Sequence, residues 1–119
     1  MNHQMRGMPI DRLVSADLAT EAALKQCSLA CKGVVAFYLS EEEAARSEFG
    51  RRLLRAAAAI DAAAAAVGAD AKERRSTLAV AAPICRDAAV QCRRSGFDSR
   101  LLKAAASCER AAAICERGF

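Results

Sequence analysis

Residues 98–118 read DSRLLKAAASCERAAAICERG and carry the clearest structural signal in the chain. Asp98 stands where a helix N-cap is expected, and Gly118 stands where helices commonly end. Between them, small or apolar residues recur at steps of three and four, which places them on one face of an α-helix. They are Leu101, Ala104, Cys108, Ala111 and Cys115. The stretch therefore predicts an amphipathic helix to about Arg117, with alanine and cysteine on its buried face.

The same periodicity predicts a first helix from about Asp11 or Ser15 to Leu39. This helix contains Gly33, which is unfavourable in a helix interior, so we expect a neighbouring backbone to approach closely there.

A second helix is predicted from Ser40 to Val67, since Ser40-Glu41-Glu42-Glu43 has the pattern of a capping box. We expect Gly68 to end it in a left-handed conformation. A third helix is predicted from an N-cap at Asp70 to about Arg94.

Four helices joined by short turns predict an all-α fold, an antiparallel up-down-up-down four-helix bundle. We expect a single domain over residues 11–119, preceded by a flexible segment at residues 1–10. The 119 residues suit one domain, and alanine makes up about a quarter of them. Only 4% are aromatic, so strand formers are too few for a β-sandwich or barrel.

The composition argues against an enzyme. There is one histidine, and neither a GxSxG motif nor a glycine-rich phosphate loop occurs. Arginine doublets, such as Arg51-Arg52 and Arg93-Arg94, are interleaved with acidic residues, which is typical of solvated helix surface and predicts no nucleic-acid partner.

No apolar run reaches the roughly 18 residues of a membrane span, and the polar N-terminus lacks a signal-peptide core. We therefore expect a cytoplasmic protein without a membrane partner.

The six cysteines are the unusual chemistry of the chain. Cys27 and Cys31 are spaced i,i+4, whereas Cys85 with Cys92 and Cys108 with Cys115 are spaced i,i+7, so each pair lies on the apolar face of its own helix. If tight turns join antiparallel helices, residues at equal distances from a turn lie side by side. This construction places Cys27, Cys85 and Cys108 at the same height along the bundle axis, with Cys31 one helical turn away. The same construction puts Cys92 near the turn between the third and fourth helices and Cys115 near the opposite end.

Reduced thiols on one face favour a soft ion such as Cu(I), which accepts two or three sulfur ligands. Zinc would require four ligands, and the chain offers no matching second cysteine or histidine pair. A metal-free structural or protein-interaction bundle, with cysteine as core filler, remains the alternative. A redox sensor using Cys27 and Cys31 is a third hypothesis, although an i,i+4 pair on an intact helix is poorly placed for a disulfide.

With these spacings the sequence resembles the cysteine-rich four-helix-bundle copper storage proteins over residues 15 to 117. We call the inward-facing positions at which that family carries cysteines the frame. On the fourth helix the frame positions are Leu101, Ala104, Cys108, Ala111 and Cys115. On the third helix they are Ala81, Cys85, Ala88 and Cys92, and on the first helix they are Cys27, Cys31, Val34 and Tyr38. The resemblance implies Cu(I) bound by inward-facing cysteine thiolates, for sequestration or buffering. About half of the frame positions hold other residues and the second helix has no cysteine, which implies a reduced capacity. The resemblance also implies a homo-oligomer, since members of the group are often tetramers.

Two further features of the chain could have a function. His3 with the amine of Met1 forms a candidate N-terminal site for Cu(II) or Ni(II), because an amine, two amides and a third-position imidazole make a square-planar nitrogen set. On the second helix, small and apolar residues could form a seam between subunits. They are Ala57, Ala58, Ile60, Ala64 and Val67.

Overall fold

A computed structural model describes the backbone of residues 4–118 and the side chains of residues 17–118. Over this part of the chain the fold is all-helical and contains no strand, as the sequence predicts. The α-helices are α1 (Gln4–Tyr38), α2 (Glu41–Arg46), α3 (Glu48–Ala65), α4 (Ala71–Ser95) and α5 (Ser99–Arg117). A 3-10 turn, Ala66–Gly68, follows α3. Helix α1 thus begins before the predicted start at Asp11 or Ser15.

The four long helices enclose a core made mostly of alanine and cysteine. Helix α1 packs against α3 and α5, and α4 packs against the same two helices. The largest aliphatic side chains that are fully buried are Leu24, Leu53, Ile60 and Leu78. Because the other buried positions hold small side chains, neighbouring backbones can approach closely, and these four residues fill most of the remaining volume.

The expectation of one continuous helix from Ser40 to Val67 is wrong. Ser47 has extended backbone angles, φ −80° and ψ 143°, and divides the segment into α2 and α3. Its backbone N–H donates to the Glu43 carbonyl, which ends α2, while its hydroxyl accepts from the Gly50 N–H at 2.8 Å, which starts α3. One serine therefore caps both helices, so the chain can turn without leaving its terminal amides unpaired.

The close backbone approach expected at Gly33 is found at Gly50 instead. A Cβ atom added at Gly50 would lie 2.7 Å from the Ala44 carbonyl oxygen and 2.8 Å from the Ala44 Cα. A Cβ added at Gly33 would meet nothing within 4 Å. The glycine at position 50 therefore allows α2 to fold back against α3, whereas the glycine at position 33 faces open space.

These two environments predict opposite effects of an alanine substitution. Gly33→Ala should stabilise the protein by about 1 kcal/mol, the difference in helix propensity between the two residues. Gly50→Ala should destabilise it by about 1–3 kcal/mol, because the backbone of α2 would have to move. Urea unfolding followed by circular dichroism measures both effects, and a stabilised G50A variant would contradict the packing of α2 on α3.

The remaining helix ends agree with the sequence except at Gly68. The Ser40–Glu43 capping box is present, Asp70 accepts from the Glu73 N–H, and Asp98 accepts from the Arg100 N–H. Gly118 ends α5 in the left-handed conformation, at φ 78°. Gly68 was expected to do the same for the second helix, but it lies in the 3-10 turn and does not have a positive φ.

The seam expected on the second helix is mostly buried within this chain. Four of its five residues belong to the core, and Ala58 alone is exposed. These core residues are Ala57, Ile60, Ala64 and Val67. The expectation that they form a surface between subunits is therefore wrong, because packing of α3 on α1 and α4 already covers them.

Candidate metal centre

Three cysteine thiols meet at the contact between α1 and α5. The Sγ atom of Cys108 lies 3.4 Å from Sγ of Cys31 and 3.7 Å from Sγ of Cys27. All three sulfur atoms lie within 4.8 Å of one another, and all three residues are fully buried. We refer to Cys27, Cys31 and Cys108 as the three-thiol cluster.

Local sequence explains why these side chains converge. Cys27 and Cys31 are one turn apart on α1, so both thiols project from the same face. On α5, Cys108 lies between Ala104 and Ala111 on the buried face of the helix. Alanine one turn before and one turn after Cys108 allows α5 to approach α1 closely enough for its thiol to reach both partners.

The cluster has the size of a three-coordinate sulfur site. With a metal–sulfur distance of about 2.3 Å, as in zinc thiolates, a trigonal planar ion separates its sulfur ligands by about 4.0 Å. The observed separations of 3.4 and 3.7 Å need only a small outward shift to reach this value. Thiolate ligands favour soft ions such as Cu(I). In residues 17–118 this cluster is the only group of three or more cysteine, histidine or acidic side chains with such spacing.

The hydrogen bonds among the three thiols determine which one ionises first. The pKa of Cys31 is lowered to about 4. The hydrogen bond with Cys108 contributes most to this shift and the hydrogen bond with Cys27 contributes less; together they stabilise the Cys31 thiolate more than burial destabilises it. The hydrogen bonds of Cys108 with Cys27 and Cys31, together with burial, raise the pKa of Cys108. For Cys27, the hydrogen bond with Cys108 acts to lower the pKa, but the hydrogen bond with Cys31 and burial outweigh it and raise the pKa. Cys31 is therefore the thiol of the cluster whose ionisation its neighbours favour.

The other three cysteines lie outside this cluster. Cys85, which the tight-turn construction places at the level of Cys108, interacts instead with Cys115 on α5. The Cys115 thiol raises the pKa of Cys85, with burial adding to it, and the Cys85 thiol lowers the pKa of Cys115. Cys92 is fully buried, and burial raises its pKa to about 12. The pairing of Cys85 with Cys115 was missed by the sequence reasoning.

The N-terminal candidate site lies outside the described residues, since the structure describes neither Met1 nor His3. Over the described part of the chain, no helix is both long enough and apolar enough to cross a membrane.

The described residues thus form a helical protein with a buried cluster of three thiols that could hold a soft metal ion through sulfur. A family model described as copper storage protein matches residues 15–118, which is most of the chain. The chain therefore belongs to the copper storage protein family, as its resemblance implied. Comparisons with curated proteins and with solved structures each returned no match.

Proposed function

We propose that this protein binds Cu(I) at the three-thiol cluster and serves to sequester or buffer copper in the cytoplasm, without catalysis. The observation that carries the proposal is the convergence of three buried sulfur atoms within 4.8 Å. Membership of the copper storage family supports copper as the ion. The reduced oxidation state follows from the donor set, because three thiolates stabilise Cu(I) far better than the harder Cu(II) ion.

The proposal includes an antiparallel up-down-up-down arrangement of α1, α3, α4 and α5. Short connections between successive long helices support it, as does the packing of each long helix against two others. In this arrangement the buried faces of α1, α4 and α5 all turn toward the same interior, which holds the six cysteines.

The capacity is proposed to be small. The three-thiol cluster offers one three-coordinate position for copper, and the interacting thiols of Cys85 and Cys115 offer one two-coordinate position. Helix α3 contributes no thiol, and on its buried face Leu53 and Ile60 occupy the interior instead. The thiols of this chain therefore form two separate groups and do not form a continuous column along the bundle.

Titration of the reduced protein with Cu(I), in competition with a chromophoric chelator, tests the proposed function. We expect retention of at least one tightly bound Cu(I) per chain. Replacing Cys27, Cys31 and Cys108 together by alanine should remove that ion while circular dichroism still reports a helical protein. Retention of less than one equivalent by the unaltered protein would favour the alternative, a metal-free structural or interaction bundle.

The pKa shifts predict a steep pH dependence of Cu(I) affinity. Cys31 has a pKa of about 4 and is already ionised near neutral pH, whereas the raised pKa values keep Cys27 and Cys108 protonated there. Binding to all three sulfur atoms must therefore release about two protons, and the apparent affinity should rise about 100-fold per pH unit between roughly pH 6 and 8. Competition titrations at several pH values measure this slope, and a slope near zero would contradict three-thiolate binding.

We also propose a homo-oligomer, with a tetramer as the expected assembly on the basis of family resemblance. Two large apolar side chains of α1, Leu18 and Leu29, are exposed. They are eleven residues apart, which is about three helical turns, so they lie on the same face of α1 and could contact another subunit. Light scattering after size-exclusion chromatography measures the assembly, and a monomer at all concentrations would contradict this part of the proposal.

A further inference from the structure

A surface groove runs between α1 and α5 on the outer side of the three-thiol cluster. It has a volume of about 480 Å³, and its charged lining residues are Arg100, Lys103 and Arg110, all from α5. Among residues 17–118, no carboxylate lines it. Gly33 lines the α1 side, and because a Cβ there would meet nothing within 4 Å, this wall stays open. We call this feature the α1–α5 groove.

The cations of the α1–α5 groove lack ion-pair partners within the described part of the chain. Arg100, Lys103 and Arg110 form no ion pair with any residue among 17–118. The contact between α4 and α5 is different, because Arg86 pairs with Glu116 at 2.7 Å and Arg93 with Glu109 at 2.8 Å.

Arg100 is held in place by an aromatic ring rather than by an acidic group. Its guanidinium carbon lies 3.8 Å from the centroid of the Phe37 ring, an arrangement that orients the cation without cancelling its charge. The nearby Asp98 carboxylate is engaged by Tyr38 and by the backbone N–H of Arg100. The guanidinium therefore keeps hydrogen-bond donors for an external anion.

Two residues of the groove wall stand one helical turn from cysteines of the three-thiol cluster. Val34 follows Cys31 by three residues on α1, and Ala104 precedes Cys108 by four residues on α5. Both Val34 and Ala104 are buried in the core and also line the groove. The same two helices therefore form the groove and hold the three-thiol cluster.

We infer that the α1–α5 groove binds small anionic thiol compounds that carry Cu(I), so that copper passes between the carrier and the three-thiol cluster at this site. The inference rests on the proposed function. A Cu(I) ion bound by two thiolates has a net negative charge, and carboxylates on the carrier add to it. The three cations, which have no ion-pair partner among residues 17–118, attract such a complex and orient it against the helices that hold the cluster.

The transfer is a ligand exchange without a change in oxidation state. The two bonds between copper and the carrier sulfur atoms break as three bonds between copper and the cysteine sulfur atoms form, so copper passes from two-coordinate to three-coordinate. The two departing carrier thiolates take up two cysteine thiol protons, any further cysteine proton passes to water, and copper remains Cu(I) throughout.

Stopped-flow uptake from two carriers of opposite charge tests the site. The probes are the Cu(I) complexes of mercaptosuccinate, which is anionic, and of cysteamine, which is cationic. Replacing Arg100, Lys103 and Arg110 together by glutamine should slow uptake from the mercaptosuccinate complex by about tenfold or more, within the range of electrostatic steering. Uptake from the cysteamine complex should be unchanged or faster, and the Cu(I) capacity should stay the same.

A matched control replaces three other exposed cations without ion pairs, Arg55, Lys72 and Arg94, by glutamine. It changes the net charge equally and should preserve the preference of the unaltered protein for the anionic carrier. Equal loss of that preference in both triple variants would overturn the inference. Gly33→Glu, which places a carboxylate in the groove, should also slow uptake from mercaptosuccinate.

A copper-free probe separates the groove from the proposed function. The S-methyl thioether of mercaptosuccinate should shift amide NMR signals along the α1–α5 groove, and the groove triple variant should lose these shifts while the control variant keeps them. Absence of the shifts in the unaltered protein would overturn the groove as an anion site. If the shifts occur but no form of the protein takes up Cu(I), the proposed function fails, and with it the carrier role of the groove.

Discussion

Replacing Cys108 by alanine should lower the affinity for the first Cu(I) ion by more than about 100-fold. Cys108 is the only thiol that α5 contributes to the three-thiol cluster, and its sulfur contacts both sulfur atoms of α1. Without it, Cys27 and Cys31 offer at most a two-coordinate site on one helix. Removing a residue that only hydrogen-bonds to a metal ligand already lowers metal affinity about 10–100-fold, so removing a ligand itself should lower the affinity by more. Competition titration with a chelator measures the change.

Cys92→Ala is the matched control for this variant. Cys92 is as fully buried as Cys108, so both substitutions remove one core thiol and leave a similar small cavity. Its sulfur, however, is not among those of the three-thiol cluster. If C92A and C108A weaken the first Cu(I) ion equally, the assignment of the cluster as the binding site is wrong.

Leu53→Ala should destabilise the protein by about 3–5 kcal/mol, at the upper end of the range for buried leucines. Leu53 is fully buried on α3 in a core where most neighbours are alanine or cysteine. Such short side chains cannot extend into the cavity, and the helix backbones would have to shift to close it. A loss of this size is a large part of the roughly 5–15 kcal/mol that stabilises a typical domain. Urea unfolding measures it.

The adjacent residue provides the control. Leu54 has the same side chain on the same helix but is 40% exposed, so Leu54→Ala should change the free energy of unfolding by less than about 1 kcal/mol. Similar losses for L53A and L54A would mean that α3 does not present the Leu53 face to the core.

The helix ends could largely be predicted, because they depend on short-range hydrogen bonds. Asp70 and Asp98 each accept from a backbone N–H within their own first turn, so the signal lies within a few residues. The break at Ser47 was missed, although its signal is of the same kind, a serine followed three residues later by Gly50. Helix-forming residues stand on both sides of Ser47, and the capping box at Ser40 already provided a start for one helix, which concealed the break.

The cysteine of α5 that lies opposite Cys85 depends on the length and shape of the connection between α4 and α5. That connection could not be predicted from the sequence. A tight turn would place Cys85 opposite Cys108. Instead, Gly96 has φ 153° and ψ −174°, and Asp98 has ψ 143°, so the linker is extended and α5 begins beyond the end of α4. Cys85 therefore contacts Cys115, and the ion pairs between α4 and α5 follow the same displaced register.

The meeting of Cys27 and Cys31 with Cys108 was less sensitive to this displacement. The i,i+4 pair on α1 spans a full turn of about 5–6 Å, so a thiol from α5 can reach one or both members over a range of registers. The shared face of the two helices, which spacing alone indicates, was therefore sufficient to bring these thiols together.

A copper-edge anomalous difference map from crystals of the reduced protein, loaded with one equivalent of Cu(I) per chain, tests the central claim most directly. We expect one dominant peak enclosed by the Sγ atoms of Cys27, Cys31 and Cys108. A dominant peak at Cys85 and Cys115, at the N-terminus or on the protein surface would contradict it, as would the absence of any peak in crystals soaked with excess Cu(I).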